Sequence, residues 1–204
     1  MSDLIVDYGI GNLSSVKKKL QSCGSNVLIS NDPNKVKRAT KIILPGVGHF
    51  NVAMQNLQKL CLIDVLNEAV LIKKVPVLGI CLGMQIMTVG SEEGTEDGLG
   101  WFDDFVVKFD IKNQKKYKVP HMGWNTLKIL KHSILFDGIA EEDEFYFLHS
   151  YHIKSNNFKN RLAITEYEYP FISAIEKDNI FGVQFHPEKS HQVGEKILNN
   201  FIKI

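Results

Sequence analysis

The chain has 204 residues, of which 44% are hydrophobic and 23% charged, and its formal net charge is +1. This composition is typical of a globular domain with a buried core, and the balanced charge argues against the basic surface of a protein that binds nucleic acid or an anionic membrane. The three cysteines are widely spaced and include no CxxC pair, so neither a disulfide framework nor a zinc cluster is predicted.

A single domain over residues 1–204 is the expectation for a chain of this length. The opening segment, MSDLIVDYG, lacks the basic and apolar regions of a secretion signal, and no apolar run approaches the roughly 20 residues of a membrane helix. We therefore expect a cytoplasmic protein with no membrane partner.

The first half of the chain alternates short apolar strands with helical patterns. Strands are predicted at residues 4–6, 27–29, 42–44 and 77–80. Helices are predicted at residues 13–23, 32–39, 50–73 and 84–90, with Cys61 as a core residue on one of them. Alternation of this kind predicts a parallel sheet that is covered by helices on both faces.

The second half is richer in strands. They are predicted at residues 105–109, 126–130, 144–148, 162–167, 171–176 and 180–185, and turn-forming segments between several of them indicate hairpins. An amphipathic helix over residues 193–202 closes the chain. The predicted fold class is α/β, with a mostly parallel central sheet flanked by helices and an antiparallel extension.

Cys81 lies in the segment GICLG, directly after the fourth predicted strand. A lone cysteine is usually a small buried side chain, but G-x-C-x-G between a strand and a helix has the form of a nucleophile elbow. The sharp turn needs small residues at Gly79 and Gly83, and the N-terminus of the following helix favours a thiolate. The backbone N–H of Leu82 can donate to a developing oxyanion. We predict that Cys81 is a catalytic nucleophile.

A cysteine nucleophile needs a base and a group that orients the base. His186 follows another apolar strand in the segment GVQFHPEKS, and Glu188 comes two residues later. In an extended segment both side chains project to the same side, so the carboxylate can hold the imidazole. We predict that His186 is the base and Glu188 its partner. Taken alone, HPE is also consistent with an exposed histidine beside a chance glutamate.

The segment LPGVGHF follows the third predicted strand and supplies a second oxyanion donor. Gly46 and Gly48 allow unusual backbone angles, so the peptide between them can turn the N–H of Val47 toward a substrate carbonyl. Without the other motifs, this segment reads equally well as an ordinary turn.

Taken together, LPGVGHF, PVLGICLGMQ and FGVQFHPEKS resemble the motifs of class I (triad) glutamine amidotransferases. The segments DYGIGNLSSV, SEEG, KVPHMGWN and FLHSYH are similar to those of the glutaminase subunits of imidazole glycerol phosphate synthase, and the motifs span nearly the whole chain in order. The resemblance implies a flavodoxin-like fold and the hydrolysis of L-glutamine to glutamate and ammonia through a cysteine thioester.

The resemblance also implies a substrate site and a partner. Glutamine would be held by Gly46, Gly48, Gln85, Ser150 and Tyr151. The ammonia would pass to a (β/α)8-barrel synthase subunit, which forms a heterodimer with the chain and makes imidazole glycerol phosphate and an aminoimidazole carboxamide ribotide in histidine biosynthesis. No metal ion, nucleotide or flavin is implied as a cofactor.

Lys189, Trp124 and Asn125 would belong to the surface that faces this partner and its ammonia entrance. By themselves, Trp124 reads as an ordinary strand aromatic and Lys189 as an exposed charge. The segment GLGWFDDFVVKFD departs from the Pro-Gly turn of many histidine-pathway members. This departure is also consistent with an alternative, a paralogue with the same triad that supplies ammonia to an N-acetyl sugar amidotransferase of surface-polysaccharide synthesis.

Other classes of function explain fewer of these features. A thiol hydrolase or cysteine peptidase would use the same nucleophile but leaves PGVG and HPEKS unexplained, and a non-catalytic binding module would not need the triad residues. A dinucleotide site at Gly9 and Gly11 lacks the third glycine, since Ser14 stands there. His149 and His152 are expected to face opposite sides of an extended strand, which argues against a metal site.

Overall fold

A computed structural model describes residues 2–155 and 157–204, which contain thirteen strands and six α-helices. The strands are β1 (Leu4–Val6), β2 (Leu28–Ser30), β3 (Ile42–Gly46), β4 (Val77–Cys81), β5 (Gly90–Ser91), β6 (Phe105–Lys108), β7 (His121–Thr126), β8 (Lys128–Ile129), β9 (Glu144–His149), β10 (Tyr151–Lys154), β11 (Arg161–Tyr167), β12 (Tyr169–Lys177) and β13 (Ile180–Val183). The helices are α1 (Leu13–Ser22), α2 (Pro33–Lys37), α3 (Phe50–Lys59), α4 (Ile63–Asn67, continued by a π-helical turn over Glu68–Ile72), α5 (Leu82–Gln85) and α6 (His191–Lys203).

The main sheet has the strand order β2-β1-β3-β4-β13-β12-β10-β6-β5, and β11 and β8 extend it from β12. The first five strands of this order run parallel, and β12 pairs antiparallel with β13. A separate antiparallel pair is formed by β7 and β9. The predicted fold class, a mostly parallel α/β sheet with an antiparallel extension, is confirmed.

Local sequence signals account for the helix boundaries in the first half. The side chain of Asn12 accepts a hydrogen bond from the backbone N–H of Ser15 and so caps α1, which ends before Gly24 at φ +87°. Asp32 caps α2 in the same way, and Pro33 occupies its first turn.

The hydrophobic core lies on both faces of the main sheet. Leu4 and Val6 of β1 point to one face and pack with the apolar side chains of α2, α3 and α4, whereas Ile5 points to the other and packs with α1 and α6. This two-sided burial explains why the parallel strands read as continuous apolar runs in the sequence.

Several local predictions were wrong. The segment 50–73 is divided at Cys61, which adopts a left-handed conformation (φ +53°) that ends the turn after α3 and leaves its side chain exposed rather than in the core. The helix after Cys81 is only four residues long, because the carbonyls of Ile86 and Met87 bond instead to the backbone N–H groups of Leu99 and Trp101. Strands β5, β7 and β10 were not predicted.

In the parts of the chain that the structure describes, no helix is both long enough and apolar enough to cross a bilayer.

Candidate active site

Cys81 is the last residue of β4 and stands directly before α5. Its backbone has φ +55° and ψ −110°, a conformation that side-chain-bearing residues rarely adopt and that costs about 1–3 kcal/mol. Such strain persists only where the surrounding structure enforces it, and it is common at functional sites. The cysteine is 6% exposed, so little of its surface meets solvent.

The two flanking glycines are sterically required by this turn. A Cβ atom on Gly79 would lie 2.6 Å from the carbonyl oxygen of Gly83, and one on Gly83 would lie 1.7 Å from that of Leu44. The turn therefore packs backbone against backbone, both within itself and against β3.

His186 and Glu188 follow β13, the strand that lies beside β4 in the sheet. Because Val183 is in register with Ile80 and the strands are parallel, β13 and β4 end at the same edge of the sheet. The His186 Nδ1 and Glu188 Oε1 atoms are 2.8 Å apart, and both side chains are buried. His186 Nε2 is buried too and has no hydrogen-bond partner among the described residues, so it is the nitrogen free for proton transfer.

The electrostatics of this group favour a charged imidazole. Burial lowers the pKa of His186, but the Cys81 thiolate and the Glu188 carboxylate outweigh it and raise the pKa to about 10. The imidazole thus lies between two acidic groups, and Glu188 holds it by a charge-assisted hydrogen bond.

The end of β3 lies against the start of α5. Gly46 pairs in register with Cys81, and a Cβ atom on Gly46 would lie 2.8 Å from the Cβ of Leu82. The hydroxyl of Tyr8, which is fully buried, donates to the carbonyl of Pro45 at 2.5 Å. Burial raises the pKa of Tyr8, and the nearby Cys81 charge raises it further. The phenol therefore stays neutral, and its hydrogen bond holds the end of β3 in place.

A cavity of about 240 Å³ opens over the Cys81 sulfur. Its lining contains most of the residues predicted from the sequence, together with three that were not: Val47, Gly48, Cys81, Leu82, Gln85, Ser150 and Tyr151, with Glu93, Pro120 and Leu148. Gly46 backs this wall without lining it. Gly48 has φ +138°, a conformation that favours glycine, and the space beside its Cα is open.

Gln85 and Gln184 form a chain of hydrogen bonds beside the nucleophile. Gln85 Nε2 donates to the carbonyl of Tyr151 and to Gln184 Oε1, both at 3.0 Å, and Gln184 Nε2 donates to Cys81 Sγ at 3.5 Å. Gln184 was not predicted as a site residue. Its position two residues before His186 was an available signal, because i and i+2 share one side of an extended segment.

Glu93 was not predicted as a site residue either. Its Oε2 accepts a hydrogen bond from the backbone N–H of Phe50 at 2.9 Å, at the N-terminus of α3, where a negative charge is stabilised. The carboxylate is thus held in place on the cavity wall, in the segment that follows β5.

The predicted partner residues are only partly brought together. Trp124 on β7 packs edge-to-face on Tyr146 of β9, with ring centroids 5.8 Å apart, and the Lys189 ammonium lies 5.5 Å from the centre of the same ring. Asn125 lies on the opposite face of β7, where its amide donates to the carbonyl of Glu166.

A buried histidine cluster adjoins the site. His149 and His152 both pack on Phe109, with ring centroids 5.2 and 4.7 Å away, and His121 Nδ1 lies 3.2 Å from His149 Nε2. The expectation that His149 and His152 face opposite sides was wrong, because the chain bends at Ser150 between β9 and β10. Burial lowers the pKa of all three histidines, to about 4 for His121. Within residues 2–155 and 157–204, no group of three or more acidic, histidine or cysteine side chains is placed to hold a metal ion.

Comparisons with known proteins agree with this geometry. The family model of class-I glutamine amidotransferases matches residues 4–204. The chain is 51% identical over 199 residues to imidazole glycerol phosphate synthase subunit HisH 2 of Methanococcus maripaludis and 45% identical over 202 residues to subunit HisH 2 of Pseudomonas aeruginosa, and each alignment covers 98% of both chains. Among solved structures, the glutaminase domain of CTPS from Trypanosoma brucei superposes with a TM-score of 0.72 at 15% identity, covering 99% of this chain and 92% of that one, and so shares the fold.

Proposed function

The chain belongs to the class-I glutamine amidotransferase family, and we propose that it is the glutaminase subunit of an imidazole glycerol phosphate synthase. It would hydrolyse L-glutamine to glutamate and ammonia and deliver the ammonia to a synthase subunit in histidine biosynthesis. The observation that carries the chemistry is the strained Cys81 beside the buried His186–Glu188 pair. The full-length relatives named as subunits of this synthase support the pathway.

In the proposed reaction, the Cys81 thiolate attacks the side-chain carboxamide carbon of glutamine. The backbone N–H groups of Leu82 and Val47 stabilise the oxyanion that forms on the carboxamide oxygen. Donors that are already oriented in a buried site do this without a reorganisation cost. The His186 imidazolium then gives its proton to the leaving nitrogen as the C–N bond breaks, which releases ammonia and leaves a γ-glutamyl thioester. His186 next takes a proton from water, the resulting hydroxide attacks the thioester, and glutamate and the Cys81 thiolate are regenerated.

Substrate recognition follows from the atoms left free on the cavity wall. Both hydrogens of Gln85 Nε2 are already donated, so Gln85 presents its Oε1 acceptor to the substrate. The Glu93 carboxylate suits the α-ammonium group of an amino acid. Backbone groups of Gly48, Ser150 and Tyr151 are left to hold the α-carboxylate and the carboxamide. The cavity suits a single amino acid rather than a peptide chain.

The proposed partner is a (β/α)8-barrel synthase subunit that forms a heterodimer with this chain. On the outer face of β7, Met122 is 66% exposed and Trp124 is 42% exposed, an apolar surface of the kind that marks a protein interface. Pro120, just before β7, lines the Cys81 cavity, so this face lies close to the site of ammonia release.

The same face is joined to the triad. The carbonyl of Tyr146 accepts the His186 backbone N–H at 2.8 Å, and the Ser190 hydroxyl bonds both the Tyr146 N–H and the His186 carbonyl. A partner that binds to Trp124 and Tyr146 and displaces them would therefore also move the segment that carries His186. We expect weak glutamine hydrolysis by the isolated chain and a large gain in the complex, also because the Val47–Gly48 peptide can turn easily.

No step of this mechanism needs a cofactor. The need for a free thiolate fits a reducing compartment, so the proposal includes a cytoplasmic location. The sugar-amidination alternative uses the same triad, but the relatives' names do not favour it.

The test is to purify this chain by itself and together with the barrel subunit, and to measure glutamate released from glutamine. We expect release to rise strongly in the complex, together with synthesis of imidazole glycerol phosphate, and no hydrolysis of peptides or esters. Glutamine hydrolysis without synthesis of that product in the complex would overturn the pathway assignment, and no glutamine hydrolysis in either sample would overturn the activity.

A further inference from the structure

Gln184 is a fully buried side chain that the mechanism above does not use. It lies between β13 and His186, and its backbone N–H is fixed by the carbonyl of Ser173 on β12. Its amide nitrogen lies 3.5 Å from Cys81 Sγ. Burying an amide group costs free energy unless its polar atoms are hydrogen-bonded. The Gln184 amide therefore needs hydrogen-bond partners, and the Cys81 sulfur is one of them.

The orientation of the Gln184 amide follows from its neighbours. The backbone carbonyl of Tyr151 can only accept, so the Gln85 atom that faces it must be the donor Nε2. The same nitrogen faces Gln184, whose facing atom must therefore be the acceptor Oε1. This leaves Gln184 Nε2 turned toward Cys81, and a flipped amide would place two donors against each other.

The sulfur thus receives a donor on one side, and a thiolate is the form that accepts best. On another side, the carbonyl oxygen of Leu148 lies 3.8 Å from the sulfur. A carbonyl can only accept, so this contact is a hydrogen bond only when Cys81 is a protonated thiol, which donates. The shorter contact is the one that suits the ionised form. Charge-assisted hydrogen bonds of this kind are about twice as strong as neutral ones.

We propose that Gln184 is a hydrogen-bond donor to the Cys81 thiolate, and that Gln85, itself held by the Tyr151 carbonyl, is the positioning residue that keeps the Gln184 amide in its donating orientation. The proposal rests on the proposed function for its catalytic meaning, because it states how the nucleophile is kept ionised and aimed before glutamine binds. It also joins the substrate cavity, through Gln85, to the attacking atom.

Other ionisable groups lie around the sulfur and must stay intact in the test. They are His186 from the segment after β13, with Glu188 behind it, Tyr8 from the segment after β1, and Glu93 across the cavity. For this reason the perturbation has to be a neutral residue of similar shape.

The experiment uses Gln184→Met in the full chain and follows alkylation of Cys81 by iodoacetamide against pH, read by mass spectrometry on the Cys81 peptide so that Cys23 and Cys61 do not interfere. We expect the apparent pKa of alkylation to rise by about one to two pH units, and the rate to approach that of the wild type above the new pKa. In the complex, kcat/KM for glutamine at neutral pH should fall by about 10- to 100-fold, mostly in kcat.

Ser173→Ala is the matched control, because it alters the neighbouring buried position on β12 and leaves the amide chain in place; its pH profile should match the wild type. Gln85→Met provides a second variant if Gln184→Met does not fold, and it should displace the alkylation profile in the same direction by a smaller amount. An unchanged profile in the folded Gln184→Met protein, or in Gln85→Met if only that variant folds, overturns the proposal.

Because alkylation needs no glutamine, the two conclusions can fail separately. A displaced profile in a chain that hydrolyses no glutamine would overturn the proposed function alone. An unchanged profile in a chain that is an active glutaminase would overturn only the role of Gln184.

Discussion

Replacing Gly83 with alanine tests the steric basis of the Cys81 turn. The new Cβ atom would lie 1.7 Å from the Leu44 carbonyl oxygen, whereas ordinary contacts begin at 3.4 Å, so β3 and α5 would have to separate by about 3.4 − 1.7 = 1.7 Å. Leu44 is paired in register with Gly79, inside the parallel sheet, and cannot move outward without breaking those hydrogen bonds. Overpacking of this kind costs at least ~3 kcal/mol, at the upper end of measured cases.

The expected result is a loss of both stability and activity. For a chain of this size, ~3 kcal/mol corresponds to a fall in Tm of about 6–12 °C. Since β3 ends in the predicted oxyanion segment, a displacement of about 1 Å or more should also lower kcat by roughly 100-fold. The assays are thermal unfolding followed by circular dichroism and glutamate release in the complex.

Gly24→Ala is the matched control for this variant. Gly24 has φ +87° and open space around its Cβ position, so alanine should cost only the ~1–2 kcal/mol of a left-handed residue and leave activity unchanged. A Gly83→Ala protein with the Tm of the control and wild-type glutamate release would refute the steric argument.

Four further outcomes are expected. Cys81→Ala should abolish glutamine hydrolysis while leaving ammonia-dependent synthesis by the complex, measured with added ammonium salt. Glu188→Gln should lower kcat/KM by about 10- to 100-fold with little change in KM, because His186 loses a buried charge-assisted hydrogen bond. The pKa of His121 is about 4 in the folded state and near 6.5 in the unfolded state, so the unfolded state binds more protons between these pH values. The urea midpoint of unfolding should therefore fall as the pH drops from 6.5 to 4, and it should fall less in His121→Phe. Trp124→Ala should weaken binding of the barrel subunit in calorimetry and lower the Tm of the isolated chain by only about 2–4 °C, because the lost aromatic contacts with Tyr146 and His191 are worth about 1 kcal/mol.

Each of these expectations can fail in a defined way. Residual glutamine hydrolysis in Cys81→Ala would exclude Cys81 as the nucleophile, and wild-type kinetics in Glu188→Gln would show that the carboxylate does not act on His186. An identical loss of stability with acid in His121→Phe would place the pH dependence elsewhere. Unchanged affinity in Trp124→Ala would move the interface away from β7.

The sequence was informative wherever the signal was local. Asn12, Gly24 and Asp32 mark helix ends through contacts within a few residues, and the boundaries of α1 and α2 follow them. Continuous apolar runs identified the parallel strands, because strands that are buried on both faces cannot alternate. Cys61 was misplaced because its left-handed turn depends on how α3 and α4 pack, which apolar spacing does not report.

The sequence by itself determined the fold class and predicted the group of Cys81, His186 and Glu188, because a strand-end cysteine between glycines and an HPE segment are signals of local spacing. Only the tertiary structure brought Gln184 and Gln85 into a chain that ends on the sulfur, and placed Glu93 on the cavity wall. Those contacts join residues about 40 to 100 positions apart, and hydrogen bonds across such distances depend on the register of β13 against β4 and on the loop after β5, which no local pattern encodes.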